Sequence, residues 1–256
     1  MEQDEGIEVG GLGAEHDLRN GVTMASTPRL IVFDCDGTLV DTQYIITEVM
    51  RLAFVNTGLA APGRAAILRT IGLSLPETMA ELAPEHCPVI RNELARAYRE
   101  QYRALRQNAP APEPMFLGAA PLLMRLAGRD GLLLGLATGK SRRGVLRFLE
   151  QNGLGGVFAT IQTGDDAPSK PHPAMLLQAM QETGVSPGAA VMVGDTSHDM
   201  LMAASANVPG IGVAWGYHTA AELQRAGAKM IARSFAALAA TLEGWEFDAQ
   251  PCVAVA

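Results

Sequence analysis

Lysine is scarce in this 256-residue chain: Lys140, Lys170 and Lys229 stand against seventeen arginines. Basic side chains are in deficit overall, with twenty Lys and Arg against twenty-seven Asp and Glu and a net charge of −7. That balance speaks against a nucleic-acid partner, because phosphate backbones are gripped by clustered Lys and Arg. A small anionic substrate stays compatible, since a local positive site can sit in an acidic protein. Cysteine is as rare, and Cys35, Cys87 and Cys252 are too scattered for a disulfide framework or a zinc site. A reducing, cytoplasmic location is therefore the expectation. No apolar run approaches the roughly 18 residues that span a membrane, so no membrane partner is expected. Internal repeats are absent, and nothing in the composition indicates an oligomeric state. Residues 1–27 are polar, Gly-rich and acidic without the apolar core of a signal peptide. They read as a disordered extension, with Met24 an alternative start, and residues 246–256 read as a loose tail.

What the chain does have is an alternation of short apolar runs and helical stretches. Strands are expected at Leu30–Phe33, Leu132–Ala137, Val157–Gln162, Ala190–Val193, Ile211–Ala214 and Lys229–Ile231. Runs such as LLLGLA and AAVMVG suit strands covered on both faces, hence a doubly wound α/β core around a parallel sheet. From residue 44 to 112 the alternation stops and the pattern turns helical. VIRNELARAYREQYRALRQ places Ile90, Leu94, Tyr98, Tyr102 and Leu105 on one stripe. The expected organisation is a core of residues 28–43 and 113–245, interrupted by a helical insert at 44–112. Sites in open sheets of this kind lie beyond the carboxyl ends of the strands.

Four such ends carry polar residues. Asp34-Cys35-Asp36-Gly37-Thr38 follows the first strand, and residues i and i+2 of an extended chain point to the same side, so both carboxylates face one cavity. Thr138-Gly139-Lys140-Ser141 follows the second. It falls one residue short of a nucleotide-binding P-loop, and suits phosphate oxygens held by the Thr138 hydroxyl and the amides beyond it. Lys170 sits in SKPHP, where a compact point charge is placed in a chain that otherwise prefers arginine. Taken alone it equally suits a solvated loop. Asp195 ends the strand AVMVG, and Asp199 comes four residues on, where a helix-start acid favoured by the macrodipole is the plain alternative. Asp34, Asp36, Asp195 and Asp199 repel one another by roughly 1 kcal/mol per pair at about 4 Å in water and several-fold more in a cleft. A cation is expected among them, and hard oxygen ligands suit Mg²⁺.

This ordered set resembles the haloacid dehalogenase superfamily of phosphotransferases, in the capped subfamily that includes phosphoglycolate phosphatases. The resemblance implies that Asp34 is the nucleophile and that Asp36 is the general acid, then the base for water. It implies that Thr138 and Lys170 hold the transferring oxygens, with Gly37, Thr38 and Gly139 around the phosphate. Mg²⁺ would be held by Asp34, the Asp36 backbone carbonyl and Asp195, with Asp199 ligating through water or orienting Lys170. The acid at position 36 speaks for phosphate chemistry, since the dehalogenases lack one there. The insert would act as a cap, with Arg69, Thr70, Gly72 and Ser74 of RTIGLSLPE reaching a small phosphorylated metabolite such as phosphoglycolate. Arg69 equally suits a solvated helix end. The insert holds eight arginines and six glutamates, and shows no evident second phosphate site. Hydrolysis is therefore favoured over the rival reading of a sugar phosphomutase, and intact motifs speak against a non-catalytic binding module.

Overall fold

The computed structural model describes residues 28–108 and 113–245, so the expected extension at 1–27, the tail at 246–256 and the last four residues of the insert lie outside it. All six expected strands form: β1 (Arg29–Phe33), β2 (Leu132–Thr138), β3 (Thr160–Thr163), β4 (Ala190–Gly194), β5 (Gly210–Val213) and β6 (Met230–Ala232). They pair in parallel in the order β3-β2-β1-β4-β5-β6. β1 lies at the centre, with Ile31 opposite both Leu134 and Val191. The order of strands reverses between β1 and β4, which is where such sheets open a crevice at their carboxyl ends.

Between β1 and β2 run α1 (Gln43–Asn56), α2 (Arg64–Thr70), α3 (Leu75–Leu82), α4 (Pro88–Asn108) and α5 (Ala119–Ala127). The remaining helices are α6 (Arg142–Gln151), α7 (Ala174–Thr183), α8 (Ser197–Ser205), α9 (Ala220–Arg225) and α10 (Phe235–Glu243). The period of two in β1 explains the doubly covered sheet. Ile31 and Phe33 pack on one face with Leu122, Leu126, Phe148 and Leu238. Leu30 and Val32 pack on the other with Met175, Leu176, Met202 and Ala203. A third cluster lies within α1–α4, around Met50, Phe54, Ile67, Met79 and Leu94, with Ile90 and Tyr98 of the expected stripe against it. Pro76 in the first turn of α3 suits a position whose N–H has no helical partner.

One strand starts later than its apolar run. The Val157 amide is spent on a turn, donating to the Leu154 carbonyl at 3.2 Å, and pairing with β2 begins only at Thr160 opposite Gly135. Val157 and Phe158 still pack on the core, as apolar residues of a loop. Among the described residues no helix is long and apolar enough to cross a membrane.

Candidate active site

Asp34 leaves β1 and Asp195 leaves β4, so adjacent parallel strands deliver both carboxylates to the reversal point. Asp199 joins them from the first turn of α8. All three are fully buried, and one carboxylate oxygen of each lies within 4.8 Å of the others. The buried Lys170 ammonium bridges two of them, 2.5 Å from Asp34 Oδ1 and 2.6 Å from Asp199 Oδ1. Asp199 does two jobs. Its Oδ2 accepts from the Thr196 amide at 3.0 Å and hydroxyl at 2.7 Å, which caps α8, and its Oδ1 holds Lys170. The helix-start reading and the lysine-orienting reading of Asp199 describe the same geometry.

Asp195 is held by neutral donors: the Thr38 hydroxyl at 2.8 Å on Oδ1 and the Tyr217 amide at 2.9 Å on Oδ2. Thr38, expected around the phosphate, is fully buried and its hydroxyl donates to Asp195. Gly37 is required beside it. Its φ is +95°, and a Cβ there would stand 2.3 Å from Asp195 Oδ2. Thr138 is buried at the end of β2, where its hydroxyl accepts from the Lys140 amide at 3.2 Å.

Charge in this cluster does not balance. Burial pushes the Asp34 carboxyl up to about 7, against the pull of Lys170 and with a further push from Asp199. Asp195 is driven well above the ordinary carboxylate range by burial and by the charges of Asp34 and Asp199. Burial opposes the charge on Lys170, yet Asp199 and Asp34 outweigh it and hold its pKa above that of an ordinary lysine. Three carboxylates face one ammonium, and Asp34 Oδ2 is buried without a hydrogen-bond partner. An orphaned carboxylate oxygen beside a carboxylate that lacks any cation fits a divalent ion with hard oxygen ligands. Asp34 and Asp195 offer the open positions, and Asp199 is engaged by Lys170 and its cap. The Asp36 carboxylate stands outside this group of three, contrary to a meeting of all four side chains.

Asp36 has its own cation. Lys140 Nζ lies 2.8 Å from Asp36 Oδ1 and 2.9 Å from Glu113 Oε2, and the Thr42 hydroxyl donates to the same Asp36 oxygen at 2.9 Å. The Tyr102 hydroxyl of α4 donates to Glu113 Oε1. Burial works against the Lys140 charge, but Asp36, Tyr102 and Glu113 overcome it and raise its pKa well above the usual value. Asp36 Oδ2 has no hydrogen-bond partner among the described residues. Lys140, Glu113 and Tyr102 escaped the sequence reading as site residues. The signal for Lys140 was the rarity of lysine; Glu113, a lone acid between prolines, carries none. Cys35 lies in the hydrophobic core, where burial pushes its thiol up and makes it a poor nucleophile.

A cavity of about 450 Å³ opens between α1–α4 and the sheet ends, with Asp36, Lys140 and the expected Thr70, Gly72 and Gly139 in its wall. Gly139 marks where the two halves touch, since a Cβ would lie 2.2 Å from the Leu73 carbonyl oxygen. Ser74 forms part of that seam and not of the cavity wall, its amide donating to Ser169 Oγ at 2.8 Å. Arg69 is outside the cavity as well. Its side chain is 68% exposed and pairs with Glu222 at 3.0 Å, which corrects its expected place on the substrate. Its carbonyl, by contrast, faces His198 Nε2 at 3.2 Å and His218 Nε2 at 3.3 Å.

Comparison with known proteins agrees with this geometry. The chain matches the haloacid dehalogenase-like hydrolase family over residues 31–213. It is 36% identical over 209 residues to a Dickeya dadantii protein named probable phosphatase IndB, covering 80% of this chain and 90% of that one. It is 30% identical over 195 residues to a phosphoglycolate phosphatase of Pseudomonas putida, covering 75% and 71%. Among solved structures, a hydrolase from Pseudomonas syringae superposes with a TM-score of 0.74 at 25% identity, covering 84% of this chain and 98% of that one. With strand order, acid cluster and match in agreement, the chain belongs to the haloacid dehalogenase-like hydrolases.

Proposed function

We propose that the protein is a Mg²⁺-dependent phosphomonoester hydrolase that works through an aspartyl-phosphate at Asp34, with residues 44–112 acting as its cap. The observation that carries the reading is the separation of two buried carboxylates by their partners. Asp34 lies in the uncompensated acid cluster, and Asp36 lies against Lys140 with one oxygen left for a proton. Relatives named phosphatases support phosphate esters as the substrates.

In this reading a carboxylate oxygen of Asp34 attacks phosphorus, and the bond from phosphorus to the ester oxygen breaks. Asp36 gives its proton to the leaving alkoxide, then removes one from the water that attacks the acyl-phosphate. The second displacement breaks the bond between phosphorus and Asp34, releases inorganic phosphate and restores both carboxyl groups. Lys170 neutralises the transferring oxygens and holds Asp34 in place, while Thr138 and the amides beyond it supply donors. Mg²⁺, held by Asp34 and Asp195 with the Asp36 carbonyl, would keep Asp34 ionised and offset the charge of the incoming phosphate. Lys140 keeps Asp36 placed for both proton transfers. Hydrolysis of a short polar ester such as phosphoglycolate fits the core chemistry, which is common to any phosphomonoester.

Phosphate release from a panel of phosphomonoesters, with Mg²⁺ and with excess chelator, tests the proposal, alongside NMR of hexose phosphates to detect isomerisation. Release that requires the ion and disappears in Asp34→Asn is expected. Turnover in chelator would remove the metal, and fast interconversion of hexose phosphates without free phosphate would make the protein a mutase.

A further inference from the structure

Arg99 and Arg103 lie one turn apart on α4, and Arg143 and Arg147 one turn apart on α6. All four line the cavity that holds Asp36 in its wall. They are also among the arginines whose side chains have no partner among the described residues, together with Arg129 and Arg233. Arg51 pairs with Glu48, Arg69 with Glu222, Arg96 with Glu100, Arg125 with Glu243 and Arg142 with Asp166. Arg64 donates to Gln43, and Arg91 and Arg225 donate to backbone carbonyls. Six arginine side chains have no ion pair or hydrogen bond among the described residues, and four of those six surround this one cavity. Of the eight arginines of the insert, Arg51, Arg64, Arg69, Arg91, Arg96 and Arg106 thus have partners, and only Arg99 and Arg103, at the chamber, are left over.

We infer, resting on the reading of this cavity as the substrate chamber, that the enzyme takes phosphomonoesters carrying a second anionic group, phosphate or carboxylate, beyond a ring-sized body. The arginine quartet binds that group. Guanidinium forks match carboxylate and phosphate oxygens bidentately, and four of them around one opening repel each other until an anion arrives. The wall that the quartet and Asp36 share with Thr70, Thr78, Ser141 and Asp165 also carries an apolar part. It includes Ile46, Met50 and Leu75, with Tyr98 and Tyr102 stacked at 6.0 Å between ring centroids. A volume of about 450 Å³ falls in the class of pockets that enclose drug-sized ligands, about 300–1,000 Å³, and exceeds what a two-carbon ester fills. On this inference Arg99 and Arg103 of the insert, with Arg143 and Arg147 of α6, supply the second anion site that the sequence reading did not find, and the chamber is roomier than phosphoglycolate alone requires.

The test uses non-hydrolysable probes, so that binding is read apart from turnover. Calorimetry of the full-length protein with Mg²⁺ compares para-carboxybenzylphosphonate, para-xylylene bisphosphonate and the neutral para-carbamoylbenzylphosphonate. The two probes with a distal anion should bind about tenfold tighter than the amide or better, a gap of about 1.4 kcal/mol. In R99Q/R103Q combined with R143Q/R147Q the three should bind within about twofold of one another. The tighter of the two anionic probes in wild type identifies the distal group as carboxylate or phosphate. Equal affinity for all three probes in wild type, or a preference that survives in the combined variant, overturns the inference. Phosphate release from para-carboxyphenyl phosphate, which carries the distal anion, is followed in parallel: its absence with the preference intact removes the hydrolase reading and leaves the anion site standing.

Discussion

At the residue scale, the two carboxylates of the first loop are told apart by what touches them. Asp34 shares a lysine with Asp199 and keeps one oxygen orphaned, whereas Asp36 has Lys140 and Thr42 on a single oxygen. The sequence made Asp34, Asp195 and Asp199 legible because each falls just past a strand or at a helix start, positions where polar residues face the crevice; Lys170, in the loop between β3 and α7, stood out through the scarcity of lysine. It did not make Lys140 and Glu113 legible as a pair, because their contact depends on how the insert returns to the core. Asp36→Asn should slow hydrolysis of an alkyl phosphate by roughly 10²–10⁴. With para-nitrophenyl phosphate, whose leaving group needs no proton, the same variant should give a burst of nitrophenolate near one equivalent and then stall. A steady rate without a burst would take the second proton transfer away from Asp36. Lys140→Met should lower kcat on alkyl esters more than on the nitrophenyl ester, because it displaces the acid and not the nucleophile. Equal losses on both would make Lys140 a binding group only.

At the scale of elements, the seam between α1–α4 and the sheet is built from backbone. Gly139 admits the Leu73 carbonyl, Ser169 accepts from the Ser74 amide, and His198 and His218 face the Arg69 carbonyl. Burial, followed by the neighbouring His198, lowers the His218 pKa, in keeping with a neutral ring whose Nδ1 accepts from the Ser197 amide at 3.0 Å. A sequence shows Arg69 and not its carbonyl, so the side chain drew the functional reading. The ion pair with Glu222 is exposed on the arginine side, and such pairs contribute about 0–1 kcal/mol. Arg69→Ala should therefore change kcat/KM for phosphoglycolate and for an aryl phosphate by the same small factor, about twofold or less. A selective loss on the anionic substrate would restore Arg69 to the site. Gly139→Ala should do far more, since its Cβ has no room beside Leu73. Amide hydrogen exchange across residues 70–76 should quicken while β1 and β4 keep their protection, and KM should rise. Unchanged exchange there would mean the seam is not what closes the chamber.

For the whole molecule, the proposed role of the acid cluster carries a cost in stability. Three buried carboxylates with one lysine raise the energy of the ion-free protein, and removing one charge should relieve it. Asp195→Asn keeps the local hydrogen bonds: the amide oxygen accepts from Tyr217, and the NH₂ donates to the Thr38 hydroxyl. In chelator this variant should melt above wild type, by about 2–4 °C for each kcal/mol relieved. Mg²⁺ should raise the Tm of wild type and leave the variant unmoved. A variant that melts lower than wild type in chelator would mean the cluster is already balanced. The fold itself was largely visible in the sequence, because strands buried on both faces leave unbroken apolar runs. Val157 and Phe158 show the limit, since an apolar loop packed on the core has the same composition as a strand.

The claim on which the rest depends is that Asp34 carries the phosphoryl group. Asp36→Asn, mixed with para-nitrophenyl phosphate and Mg²⁺ and quenched in acid during the stall, should hold that intermediate. Peptide mass spectrometry should then find one added phosphoryl group on the peptide containing Asp34 and place it on that residue. An unmodified Asp34 in the quenched protein, together with turnover in Asp34→Asn, would contradict the account.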